Sequence, residues 1–385
     1  MNNVLRMLGL GTLVLVAGCS SWNPFVAKVD PSNVPAALVD FKPSMSVRTV
    51  WSTSIGKSGN YVFSPANARN SIFAAAENGS ISRISAVTGD TIWHIQAGMT
   101  LTAGVGTDGN TLAVAGEKGV VLAFDSDGKL LWKAQASSEI LSAPAIGRGV
   151  VVVRSVDNRI AAYDVASGKQ KWSVLRSTPA LSLRSAPGMT IVGPSIVIAM
   201  PGGRLLSLSL ENGGVYWEAA IGDPRGVTEL ERMTDVSGFP AAYGNDVCAA
   251  AYQGRVGCLD VVKGSGRWAK KLSSSVGVGI DEQYVYAADD RGAVYAFTRE
   301  SGQSVWRNEK LANRGLSTPI SAGRIVAVAD NQGYVHFLSK ENGAFVGRSG
   351  SDGSQILAAP IIAGSFLVFQ TKSGTLFAVT GDNAQ

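Results

Sequence analysis

The stretch RIAAYDVASGKQKW, residues 159–172, decides the fold because the chain repeats it. It opens on an apolar run of alternating character, meets Asp164, turns through Ser167 and Gly168, and ends on Trp172. The phrase returns as GSISRISAVTGDTIW (79–93), GVVLAFDSDGKLLW (119–132), GRLLSLSLENGGVYW (203–217), GRVGCLDVVKGSGRW (254–268), GAVYAFTRESGQSVW (292–306) and GYVHFLSKENGAFVG (333–347). A last copy, GTLFAVTGDN (374–383), stops before its Trp. The leading position is 79, 119, 158, 203, 254, 292, 333 and 374, with Asn158 standing once for Gly. Eight copies about 40 residues apart mark a repeat architecture, and short alternating strands at that period predict propeller blades.

Each part of the phrase has a physical reason. The leading Gly or Asn suits a tight turn between two strands, where positive φ is tolerated. The alternating run predicts a strand covered on both faces by neighbouring blades. The Thr-Gly, Ser-Gly or Asn-Gly pair then turns the chain into an outer strand ending in Trp. A large aromatic there can wedge between blades while its indole N–H finds a backbone acceptor. Trp51, Trp93, Trp132, Trp172, Trp217, Trp268 and Trp306 fit this structural docking role, and Trp22 does not. Trp51 also explains the missing Trp of the last copy. VRTVWSTSI (47–55) reads as an outer strand with no blade before it, and GTLFAV as an inner strand with no outer strand after it. Pairing the two closes the ring and removes exposed edges. The expected fold is an all-β, eight-bladed propeller of four-stranded blades over residues 47–385. Gly347, where Trp is expected, should leave one looser blade contact.

The chain has 385 residues, 45 of them Gly, with 16% charged and 45% hydrophobic residues, which favours turns and buried strand over disorder or coiled coil. The net charge of +5 is scattered, and no Lys/Arg run interleaves with aromatics, so no nucleic-acid footprint is visible. The N-terminus, MNNVLRMLGLGTLVLVAGC, has one cation, a short apolar core and small residues before Cys19, the layout of a secretory signal over residues 1–18. Residues 19–46, with Pro24, Pro31, Pro35 and Pro43, read as an extended tether.

Chemical signals are thin. His94 follows a docking Trp and His336 sits in a repeat strand, both readable as packing or surface residues. GVGTDG (104–109) leads into a strand-like run instead of a helix, so it reads as a turn. DSDGK (125–129) lacks the distal Glu of a calcium loop. Cys248 and Cys258 flank a turn at Gln253-Gly254, and either a cross-strand disulfide or two buried thiols fits that placement. The longest irregularities of the repeat are RSTPALSLRSAPGMT (176–190) and GDPRGVTELERMTDVSGFP (222–240), where function is to be sought. In the first, Leu181 and Leu183 beside Arg184 suit a protein-binding hot spot.

Two resemblances follow from these residues. Ala162, Asp164, Gly168 and Trp172 are similar to the tryptophan-docking motif of quinoprotein alcohol dehydrogenases, which hold pyrroloquinoline quinone and a metal on the propeller axis. The chain lacks the adjacent Cys pair and the metal-ligand cluster of that family. Leu15-Val16-Ala17-Gly18-Cys19 resembles a bacterial lipobox. Together with the tether, the eight repeats, PALSLRSAP and TELERMTDV, it resembles the BamB family of outer-membrane assembly lipoproteins. That resemblance implies lipidation at Cys19 and, from Ser20, an outer-membrane location facing the periplasm. It implies no enzymatic activity and no cofactor. It further implies a place in the BAM complex, binding the POTRA domains of BamA through Leu181, Leu183, Arg184 and Asp235. At position 237, where relatives carry an acidic residue, this chain has Ser237, which removes that charge from the second loop. Direct pairing of blade edges with unfolded outer-membrane clients is a further expectation. A quinone-dependent dehydrogenase and an envelope glycan-binding propeller are the alternatives.

Overall fold

Each copy of the repeat supplies the third strand of a four-stranded antiparallel sheet. The computed structural model describes residues 33–383, and eight such sheets are present among them. In the third blade Ala145–Gly147, Val150–Arg154, Arg159–Asp164 and Gln170–Leu175 pair in that order. The two middle strands are buried almost throughout, because neighbouring blades cover both faces. Val151 and Ala161 join the cluster of the second blade, while Val152 and Ala162 join that of the fourth. The eight-bladed all-β propeller expected from the repeat is the fold observed.

The docking Trp residues sit where the sheet is bent for them. The third and fourth strands of each of the first seven blades slip register at one place, between Ala162 and Tyr163 in the third blade. A bulge of this kind increases local twist and re-aims a side chain. Trp172 follows it, and its Nε1 donates to Leu210 O of the next blade at 2.9 Å. Trp51, Trp93, Trp132, Trp217, Trp268 and Trp306 make the equivalent bond to Ala86, Ser126, Val165, Val261, Arg299 and Lys340. Gly168 of the opening stretch serves its neighbour in turn. It has φ 68°, and a Cβ there would stand 2.5 Å from the Trp132 ring. The outer strands run on past the Trp, which is the third residue of Gln170–Leu175, and do not end at it.

Met45–Ser54 pairs with Thr375–Asn383 and closes the ring, placing Trp51 opposite Ala378 as Trp172 lies opposite Ala162. This strand starts two residues ahead of the expected boundary. Residues 36–44, expected in the tether, already lie on the blades: Ala36 N donates to Ala312 O at 2.8 Å and Ser44 N to Val346 O at 3.1 Å. The looser contact expected at Gly347 is absent. A Cβ there would meet Val47 at 2.6 Å, so the closing strand fills the space a Trp would need. The last blade has no third-to-fourth turn for such a Trp to dock on, because its fourth strand comes from the other end of the chain. In the fifth copy the positive φ of the repeat turn falls on Gln253 (49°), one residue before the expected Gly254. Cys248 and Cys258 are direct cross-strand partners, fully buried and joined as a disulfide. The signal segment, Cys19 and Trp22 lie outside the described residues.

Because strands alternate in direction, all second-to-third-strand turns and all blade-to-blade connections emerge at one end of the ring. We call this the loop face. The remaining hairpin turns, two in each of the first seven blades and one in the last, lie on the opposite face.

Candidate partner-docking face

Both irregular segments are blade-to-blade connections, joining the third blade to the fourth and the fourth to the fifth, so both rise from the loop face. The first is anchored by the second. Asp235 is only 4% exposed, and its carboxylate accepts Leu183 N–H and, at 3.0 Å, Gly202 N–H. Asp235 was expected as a contact residue; the structure instead buries it as a bracket beneath the first loop. Ser237 is buried as well, its Oγ donating to Asp235 O at 3.4 Å. An acidic group at either position would act from below the surface.

The bracket leaves Leu181 exposed, Leu183 half-buried and Arg184 extended into solvent. Arg184 reaches back to Glu139, Nη2 to Oε1 2.9 Å, on the connection between the second and third blades. That bond and the Glu139 charge push the Arg184 pKa up. Below lies Arg154, which lines a small cavity with Ser142, Ser155, Leu183, Arg184 and Pro187. Its Nη2 donates to Asn158 Oδ1 at 2.7 Å, and among the described residues no carboxylate forms a salt bridge with it. Burial lowers its pKa to about 10, and the nearby Asp235 charge opposes that. The leading Asn158, with φ 61°, thus also serves as a hydrogen-bonding post under the loop.

The second loop presents apolar residues that the sequence reading did not single out. Val227 is 90% and Leu230 62% exposed. They sit on a turn stiffened by a capping box: Glu231 N donates to Thr228 Oγ1, while Glu231 Oε2 accepts Val227 N and Thr228 N. The T-x-x-E spacing of TELE was the available signal. Exposed Leu and Val with Arg184 at the edge form a surface suited to a protein partner, since apolar anchors ringed by polar groups concentrate binding energy.

The propeller axis opens on the same face through a cavity of about 390 Å³, lined by Phe239, Val276, Leu316 and Leu357 with Asp289 and Asp290. Pyrroloquinoline quinone is a tricarboxylate, and this cavity offers it two carboxylates and no Lys or Arg. Asp289 is occupied by Arg291 N, Ala293 N and the Tyr295 hydroxyl, and Asp290 by Ser275 N and Ser273 Oγ. Among the described residues no group of three or more His, Cys, Asp or Glu could hold a metal. The axis does not fit the quinone.

A family model described as outer membrane protein assembly factor BamB matches residues 77–308. The protein of that name from Bordetella pertussis is 43% identical over 318 residues, covering 82% of this chain and 81% of the relative. This chain belongs to the BamB family. The crystal structure of BamB from Moraxella catarrhalis superposes with a TM-score of 0.79 at 24% identity, over 87% of this chain and 100% of that one. The quinohemoprotein alcohol dehydrogenase of Comamonas testosteroni superposes at 0.67 with 12% identity, over 86% and 76%, a likeness of fold alone. BamB-family membership and the dehydrogenase likeness therefore coexist in one architecture, and only the site separates them.

Proposed function

We propose that the chain is a non-enzymatic scaffold of outer-membrane β-barrel assembly, anchored by lipid at Cys19 in the outer membrane with its propeller in the periplasm. Its first loop docks on the POTRA domains of BamA through Leu181, Leu183 and Arg184, with Asp235 holding that loop in shape. The observation that carries this reading is the bracket itself: a buried carboxylate spans two blade connections to hold out a loop of exposed Leu and Arg. Confinement at the membrane raises effective concentration, so a modest loop affinity suffices to keep the assembly together. The action is positional, holding the periplasmic arm of the barrel insertase and leaving the chemistry of insertion to it.

The test is calorimetry of the detergent-solubilised full chain with the periplasmic domains of BamA, with Leu183→Ala/Arg184→Ala alongside and circular dichroism as the folding control. Saturable binding that the double variant loses supports the reading. No binding by the wild-type chain removes it.

A further inference from the structure

A second buried charge cluster lies away from the docking loops, between the sixth and seventh blades. Arg314 is 2% exposed, and Asp330 and His336 are fully buried. Arg314 Nε donates to Asp330 Oδ2 at 2.6 Å, and His336 Nε2 meets the same oxygen at 2.9 Å. On the other side of the imidazole, Arg348 Nε donates to His336 Nδ1 at 3.3 Å. A guanidinium only donates, so Nδ1 accepts, Nε2 carries the proton and the imidazole is neutral. One carboxylate thus faces two guanidiniums. Their spare N–H groups point to the chain's own N-terminal arm: Arg314 Nη1 donates to Ala36 O at 2.8 Å and Arg348 Nη2 to Val39 O at 3.0 Å. Phe41 packs on Phe345 with ring centroids 5.5 Å apart, and the Arg348 guanidinium lies 5.0 Å from its ring. His336 is one of only two histidines in the chain, so no other repeat carries this cluster.

We propose that this groove is a mooring site for the arm, and that the mooring sets which face of the ring looks toward the membrane. The inference rests on the lipid anchor proposed at Cys19. Ala312 and Arg314 belong to the connection between the sixth and seventh blades, so the arm meets the ring at the loop face. From Ala36 it crosses to Ser44, bonded to Val346 near the start of the outer strand Phe345–Gly350, at the opposite face. Met45 then begins the closing strand from that side, paired with Asn383. While the arm is moored, the chain upstream of Ala36 leaves from the face that carries the docking loops. Released, it would leave from the other face, at Met45. From Cys19 to Ala36 is 17 residues (36 − 19), which even fully extended reach at most about 60 Å. That reach exceeds the thickness of the ring, so it is the point of attachment that orients it: the anchor draws on the moored ring from the docking face, which turns that face toward the bilayer with a bound partner between ring and membrane.

The test uses the full lipidated chain in vesicles carrying an acceptor dye at the lipid surface. Cys19 is acylated and Cys248 is joined to Cys258, so one engineered thiol takes the donor. It is placed at Glu117→Cys, on the loop face of the second blade, or at Asp127→Cys, on the opposite face of the same blade. Energy transfer is expected to be greater from position 117. In Ala36→Pro/Phe41→Ala, which frees the arm while leaving the residues of the buried cluster unsubstituted, the order should reverse or vanish; Arg348→Gln should act likewise. Equal transfer in the wild-type chain overturns the orientation. So does an unchanged order in a variant whose arm amides exchange rapidly. A chain that never partitions into vesicles overturns the anchor, and the orientation with it.

Discussion

On the proposed docking, replacing Asp235 by Ala should weaken binding to BamA's periplasmic domains, although the side chain offers a partner almost no surface. Its carboxylate accepts two backbone N–H groups, from Leu183 and Gly202. Bonds to a charged acceptor contribute about 1.5–3 kcal/mol each, so the low end gives about 3 kcal/mol for the pair. At about 1.4 kcal/mol per factor of ten, the first loop should open about 100-fold more often. The assay is amide hydrogen exchange at Leu183, whose protection should fall by that factor. Asp235→Asn can accept only one of the two bonds and should lose about tenfold, on the same arithmetic. Affinity should fall by less than protection, because the apparent Kd scales with the fraction of molecules whose loop is competent. Removing Asp235 also takes away the nearby charge that opposes the lowering of the buried Arg154 pKa, adding to the cost. Affinity lost while Leu183 stays protected would refute the bracket and return Asp235 to a direct contact.

Trp172→Ala should destabilise the propeller by about 3–5 kcal/mol, since it empties the blade seam and orphans Leu210 O; chemical denaturation followed by circular dichroism measures it. Gly347→Trp restores the repeat consensus yet should also destabilise, because Val47 and Met45 already occupy the space; a raised melting temperature would contradict that reading of the closure. His336 should make stability depend on pH. Burial, with Arg348 and Arg314 beside it, lowers its pKa below the ordinary 6.5 despite the Asp330 bond, so the unfolded chain binds the proton more readily. Stability is then complete above about pH 6.5 and falls as pH drops below it, at no more than about 1.4 kcal/mol per pH unit for one proton. Urea midpoints between pH 7 and 5 should show that slope in the wild type and a flatter one in His336→Gln.

The fold was legible because its signals are local and repeated. Gly168 must adopt φ 68° and admit the Trp132 ring, so the Ser-Gly turn and the docking Trp leave the same mark in copy after copy. The ring closure was legible for the same reason, from Trp51 standing outside any blade. The candidate site was legible only in outline. Two lengthened connections marked the loops to look at, and of the residues named there Leu181 and Arg184 are exposed and Leu183 half-buried. What could not be read was the depth of each side chain: an Asp in a polar loop looks alike in sequence whether it faces solvent, as Asp223 does, or is 4% exposed, as Asp235 is. Depth is fixed by contacts across blades. Asp235 and Leu183 are 52 positions apart, and Arg184 and Glu139 are 45 apart. The mooring cluster spans more still, with Arg314 and Ala36 separated by 278 positions. Residues 36–44 illustrate the consequence. Pro43 and the lack of any sustained period make them read as tether, and only contacts with a distant blade, from backbone, Phe345 and two guanidiniums, turn them into part of the ring. In a repeat protein the period declares the scaffold, while the contacts that distant copies make across an interrupted turn leave no periodic trace.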